Sequence, residues 1–208
     1  MQAAHYEFPD AVIQIFCKAP VAGQVKTRLM PQLSAEQAAA VHQQLSLRTF
    51  ALVSSLKLCP VQLWCAPSIQ HPFFIKAAED YSLSLYTQAN GDLGERMDSA
   101  LKTGLKNFAK VLLIGSDCPS FTAEDFITAL RALSTDNDLV IAPTEDGGYS
   151  LIGLKSPQPE LFKDIPWSSA AVFTRTLAKL TALGLQAVEL RTQWDVDTHA
   201  DYVRYLQG

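Results

Sequence analysis

"KVLLIGSD", residues 110–117, holds an unbroken apolar run, 111–115, that gives way within two residues to a carboxylate. The run shows no alternation of polar and apolar positions, so a strand made of it must be covered on both faces. That is the environment of a central strand in a parallel sheet with helices on both sides. Other runs of the same kind surround it: "AVIQIFC" (11–17), "VQLWCA" (61–66), "LSLYTQ" (83–88), "DLVIAP" (138–143), "YSLIGL" (149–154) and "LQAVELR" (185–191).

Segments of helical period lie between these runs, which is the pattern of an α/β protein. Ser34 and Gln37 resemble a capping box that opens a helix running to about Leu56. "HPFFIKAAEDY" (71–81) reads as a short helix. Asp92 is placed to cap another helix within "NGDLGERMDSALKTGLKNF" (90–108), and Thr122 a third, with Asp125 at its third helical position. A helix over about 169–183 ends at Gly184 with Ser168 as its cap, and Asp197 or Thr198 would cap a last one. No repeat, low-complexity tract or linker interrupts the 208 residues, so one domain spanning 1–208 is expected.

The composition narrows the function classes. With 48% apolar and 18% charged residues, the chain can bury a sizeable core. A net charge of −4 argues against nucleic acid as a bulk electrostatic partner. No apolar run approaches the ~20 residues of a membrane span, and "MQAAHYEFPD" has no signal-peptide pattern, so a cytoplasmic protein is expected. Cys17, Cys59, Cys65 and Cys118 have no metal-site spacing and read as reduced core residues. Cys118 is the one that lies beside a polar stretch.

In open α/β sheets, ligands bind beyond the carboxyl ends of the strands. Four unusual polar stretches fall at such ends: "KAPVAGQVKTR" (18–28), "SDCPS" (116–120), "TEDGGY" (144–149) and "WDVDT" (194–198). The first offers Lys18, Lys26, Thr27 and Arg28 as donors around Gly23. It is not a P-loop, because the second glycine and its spacing are missing. Its choice is between phosphate binding and a solvated basic loop. Asp117, Asp195 and Asp197 are hard oxygen donors suited to Mg²⁺ or Mn²⁺, or else turn formers and caps. Asp146-Gly147 is a strong hairpin signal. The same segment could bring Glu145 or Asp146 to a ligand as a base or sugar-hydroxyl acceptor, with Gly147 and Gly148 allowing close approach. Arg96 points either to phosphate or to solvent, and Trp167 either into the core or against a sugar ring.

Six ordered motifs carry a resemblance: "IFCKAPVAGQVKTRL", "GDLGERM", "GSDCP", "APTEDGGYSLIGL", "PWSS" and "WDVDT". Together they resemble a family of small bacterial glycosyltransferase-like proteins in the nucleotide-diphospho-sugar transferase superfamily, over residues 12–203. The resemblance implies the GT-A fold, a mostly parallel twisted sheet with one reversed strand and helices on both faces. It implies a transferase that takes a nucleotide sugar and passes its glycosyl group to a small-molecule acceptor, with Mg²⁺ or Mn²⁺ as cofactor. Lys18, Gly23, Lys26 and Arg28 match the phosphate-holding loop, Asp117 and Asp197 the metal ligands, and Asp146 to Tyr149 the segment beside sugar or acceptor. The role of Asp195, next to the metal ligands, is left open. The single aspartate of "SDCP", where glycosyltransferases of this fold commonly carry D-x-D, resembles the superfamily's nucleotidyltransferases. These act on a nucleoside triphosphate and include the molybdenum cofactor guanylyltransferase. A non-catalytic nucleotide sensor is a third reading, from another class.

Overall fold

The computed structural model describes residues 5–208. Seven strands form one mixed sheet in the order β3-β2-β1-β4-β6-β5-β7. They are β1 (Ala11–Lys18), β2 (Val61–Ala66), β3 (Ser84–Thr87), β4 (Lys110–Gly115), β5 (Leu139–Pro143), β6 (Tyr149–Leu154) and β7 (Ala187–Glu189). Only β6 runs antiparallel to its neighbours, β4 and β5. This is the one reversed strand that the family resemblance implies.

The residues of "KVLLIGSD" account for the layering. Successive side chains of a strand point to opposite faces, and Val111, Leu112, Leu113 and Ile114 are all buried. Leu112 and Ile114 join Ile13, Ile15 and Leu63 against Phe50 of α1 (Ala35–Ser55), Phe74 of α2 (Pro72–Tyr81) and Phe126 of α4 (Ala123–Ala132). Val111 and Leu113 join Val12, Ile141 and Ile152 against Met97 and Leu101 of α3 (Leu93–Gly104) and Leu180 of α5 (Val172–Leu183). Each of these aliphatic side chains contributes about 1.5–3 kcal/mol on burial. A third cluster joins Leu29 and Val196 to Ala38, Val41 and Leu45, with Tyr202 of α6 (His199–Leu206) packed beside it.

The expected caps form at Ser34, Asp92 and Thr198, each in a reciprocal capping box. At Thr122, the backbone N and Oγ1 both donate to Asp125. Gly184 closes α5 in the left-handed conformation, as read. Two expectations change. The last strand spans Ala187–Glu189 rather than 185–191, because pairing with β5 breaks after Glu189, where Arg191 turns across to Asp125, and returns only as an isolated bridge between Gln193 and Thr144. Ser168 does not cap α5: it lies in a left-handed turn at φ 67, and the Ser169 Oγ accepts from the Ala171 N–H just before the helix.

Candidate active site

Strand order changes direction between β1 and β4, and the crevice at such a switch point is where open α/β sheets bind ligands. A cleft of about 490 Å³ opens there. Lys18, Gln24, Lys26 and Thr27 line it from the basic loop, Ser116 and Asp117 from the end of β4, and Asp195 and Asp197 from the segment before α6. Local packing sets these directions. Val25 and Leu29 are buried on either side of Lys26 and Arg28, and Val196 is fully buried between Asp195 and Asp197. A single buried valine thus turns both flanking carboxylates toward the cleft. The Val196 N–H also donates to the Asp117 carbonyl at 3.3 Å, fastening this segment to the tip of β4.

Asp117, Asp195 and Asp197 converge: one carboxylate oxygen of each lies within 4.8 Å of the others, a spacing that could hold one metal ion. The cation found among them is Lys26, whose Nζ donates to Asp117 at 2.6 Å and to Asp197 at 3.0 Å. Its side chain is only 4% exposed, whereas the sequence suggested an exposed loop charge. Arg28, at 63% exposure, donates to the other oxygen of Asp197 at 3.1 Å. Burial would lower the Lys26 pKa, but the charges of Asp117 and Asp197 outweigh it and hold the ammonium protonated. Burial would raise the Asp117 pKa, but Lys26 keeps the carboxyl below its ordinary value. Asp195 is pushed up to about 7 by burial and by the charges of Asp117, Asp197 and Asp146. Two of the three carboxylates thus share one buried ammonium, and Asp195 stands beside them without an ion pair.

His42, Gln88 and Leu93 also line this cleft, and none was singled out from the sequence. The His42 Nε2 lies 2.9 Å from the Lys18 carbonyl and so carries the proton, while burial lowers the imidazole pKa. Gln88 donates to the Trp64 carbonyl at 2.8 Å and accepts from Arg96 at 3.1 Å, which aims Arg96 along the cleft wall. The only signal for His42 and Gln88 was a polar type amid an apolar pattern, which many core polar residues also give, and Leu93 gave none. Gly23 lies outside the cleft, where its positive φ of 79 serves the turn.

The "TEDGGY" segment lines an adjoining cleft of about 390 Å³, which shares Leu93, Ser168 and Asp197 with the first. Its walls include Arg28, Met97, Asp146, Gly148, Tyr149 and Trp167. Asp146 accepts from Thr144 Oγ1 and from the Gly148 N–H at 3.0 Å, so it braces the turn while lining the cleft. Gly147, at φ 88, is required by the chain itself rather than by a ligand, because a Cβ there would collide with the Ala170 carbonyl. Glu145 lines neither cleft and is clasped by Arg204 at 2.8 and 3.2 Å. Trp167 packs edge-on to Tyr149 and covers Gly94, where a Cβ would stand 2.7 Å from the indole. The four cysteines are free and buried, and burial pushes the Cys118 thiol up to about 11, which leaves it unreactive.

A family model described as "Uncharacterized protein conserved in bacteria (DUF2064)" matches residues 49–169. No curated protein matches the sequence. Among solved structures, a "putative nucleotide-diphospho-sugar transferase" from Desulfovibrio desulfuricans G20 is 29% identical, with a TM-score of 0.82 over 92% of this chain and 84% of its own. The 4-diphosphocytidyl-2C-methyl-D-erythritol synthase of Anaerococcus prevotii is 13% identical, with a TM-score of 0.62 over 96% and 100%. Glucosyl-3-phosphoglycerate synthase of Mycobacterium tuberculosis, solved with Mn²⁺, UDP and glucosyl-3-phosphoglycerate, is 11% identical, with a TM-score of 0.59 over 94% of this chain and 75% of its own. The fold is that of the nucleotide-diphospho-sugar transferases, as the six motifs implied.

Proposed function

We propose that this chain, which belongs to the bacterial family DUF2064, is a metal-dependent glycosyltransferase that uses a nucleotide-diphospho-sugar donor. One observation carries the proposal: three carboxylates converge beside Lys26 and Arg28 in a cleft at the carboxyl ends of β1 and β4. The Desulfovibrio structure supports the donor class, and the Mycobacterium synthase, solved with Mn²⁺ and UDP, supports the pairing of metal with nucleoside diphosphate.

The donor set fits Mg²⁺ or Mn²⁺. Asp117, Asp195 and Asp197 offer hard anionic oxygens at a suitable spacing, and two of them already share a cation. Bound there, the metal would neutralise charge on a diphosphate leaving group. Lys18, Lys26, Thr27 and Arg28 supply donors to the phosphate oxygens, and Arg96 a further guanidinium on the wall. In the adjoining cleft, Asp146 would accept the proton of an acceptor hydroxyl, while Tyr149 and Trp167 form the apolar wall for a ring. Glu145 takes no part, being held by Arg204. Four reduced, buried cysteines suit a cytoplasmic enzyme.

Nucleotidyl transfer is the second reading. Strand β4 delivers a single aspartate, Asp117, flanked by buried Ser116 and Cys118. The same cleft would then hold a nucleoside triphosphate and release pyrophosphate. Incubating the protein with a panel of labelled nucleotide sugars and nucleoside triphosphates, with Mg²⁺ or Mn²⁺ and then with chelator, tests both. Release of nucleoside diphosphate supports glycosyl transfer, and release of pyrophosphate supports the second reading. Binding without turnover would leave a nucleotide sensor.

A further inference from the structure

We propose that this cleft takes its divalent cation together with a diphosphate rather than ahead of it, because Lys26 holds the cation's place until phosphate draws it away. The inference rests on the metal-and-nucleotide reading above and concerns a residue of this chain. Lys26 bridges Asp117 and Asp197, the two carboxylates proposed as ligands, at 2.6 and 3.0 Å. An ammonium that close to both oxygens occupies the charge-neutralising position itself. A second, doubly charged cation on the same oxygens would meet twice the repulsion of a unit charge at equal distance.

The backbone keeps Lys26 there. Its φ of 48 and ψ of 38 are left-handed, a conformation that β-carbon sterics disfavour for all but glycine and, less severely, asparagine. Val25 and Leu29, both buried, fix the chain on either side. That conformation fixes the direction in which the lysine side chain leaves the loop. The side chain above that fixed backbone has a flexible four-carbon stem, and Lys18, Gln24 and Thr27 line the same cleft. Lys26 can therefore swing from carboxylate to phosphate without moving the loop. A diphosphate compensates both partners: it gives Lys26 new anionic acceptors and brings negative charge to balance a metal on the vacated carboxylates. Free metal gives the carboxylates a new cation but gives Lys26 no new acceptor, and so must displace the ammonium without recompense.

Direct Mn²⁺ binding to the full chain, measured by calorimetry or by the electron paramagnetic resonance of free Mn²⁺, provides the test. In Lys26→Asn the cation is lost while the left-handed backbone is accommodated. This variant should bind Mn²⁺ alone at least tenfold more tightly than the unmodified protein. With GDP or UDP present, the unmodified protein should gain Mn²⁺ affinity by at least as much, and the variant by less. Equal Mn²⁺ affinity of the two forms would overturn the exchange and leave the metal reading standing. Absence of Mn²⁺ binding to either form, with or without GDP or UDP, would overturn both. Should the variant fail to fold, reductive methylation of the unmodified chain, read by mass spectrometry, serves instead. Lys26 should be protected in chelator and become modified as Mn²⁺ alone reaches saturation. Protection that persists at Mn²⁺ concentrations that raise the melting temperature would overturn the exchange.

Discussion

A lone buried carboxylate and a cluster of three flank the β4–α4 loop and balance their charges differently. On the α4 side stands Asp125, 5% exposed and fully answered. Thr122 N and Oγ1 donate to it at 2.7 and 2.9 Å, Arg191 through two nitrogens at 2.7 and 2.6 Å, and Gln193 at 3.1 Å. On the β4 side, Asp117 and Asp197 share one buried lysine, an exposed arginine reaches Asp197 alone, and Asp195 converges on them without an ion pair. Burial would raise the Asp125 pKa, but Arg191 and Thr122 hold it below its ordinary value. Asp195 instead is pushed up to about 7. A balanced buried carboxylate is a fastening. A surplus of carboxylates over cations is what the proposed metal site requires, because buried charge without a partner is retained only at a penalty.

The widest separation between the two should appear on substitution with asparagine, which keeps shape and removes charge. Asp117→Asn should abolish metal-dependent nucleotide binding and lower any transferase rate by two to three decades, about 2.7–4 kcal/mol of barrier. Its melting temperature should change little, since repulsion among the three carboxylates is relieved as one bond to Lys26 is weakened. Unimpaired Mg²⁺-dependent nucleotide binding in this variant would reduce Asp117 to a turn former.

Asp125→Ala should do the reverse, destabilising by about 2–3 kcal/mol through loss of the cap and of charged hydrogen bonds. Arg191 can rehydrate and so limits the loss, being half exposed. Nucleotide affinity per folded molecule should be unchanged. Denaturant unfolding alongside calorimetry separates the two effects, and a large loss of affinity at unaltered stability would show that the two groups are not distinct.

The pH responses should have opposite signs. Asp125 is depressed in the folded state, so its contribution is present above the unfolded carboxylate value and is lost as pH falls through its folded value. Asp195 is raised, so the folded chain holds an extra proton between the unfolded value and about 7, and stability in chelator should decline as pH rises through that window. Asp195→Asn should remove the neutral-pH decline and leave the acid limb intact. Melting curves from pH 4 to 9 in chelator report both limbs, and an unaltered neutral limb in Asp195→Asn would assign it to another group.

The same comparison shows what could be read from sequence and why. Asp125 was legible as the third helical residue beneath the cap Thr122, because the two stand three residues apart and caps are local. Its pairing with Arg191, 66 residues on, carried no local signal. The strands were legible wherever burial on both faces left continuous apolar runs, as in β4, and least so in β7, where tertiary contacts end the ladder early. The polar lining of the clefts was legible as four stretches at strand ends. Two clefts rather than one receive them, and the sequence gives no measure of that division. Nor could charge alone reveal that Lys26 is buried among carboxylates while Arg28, two residues on, faces water.

That last pair gives the smallest expected effect on stability. Arg28 donates to Asp197 at 3.1 Å from a side chain 63% exposed, and a surface ion pair of this kind contributes about 0–1 kcal/mol. Arg28→Ala should therefore shift unfolding by no more than about 0.5 kcal/mol. It lies where the two clefts meet at Asp197 and lines the second. Its removal should weaken binding of UDP or GDP while leaving the free nucleosides unaffected, since only the phosphates answer a guanidinium. The weakening should shrink as salt rises, because an exposed charge is screened over about 8–10 Å near physiological ionic strength. Lys26, buried, should show far less salt dependence in the same titration. Equal salt dependence at the two positions would mean that Lys26 meets the nucleotide from solvent, and the distinction between a buried cation and an exposed one in this loop would carry no functional weight.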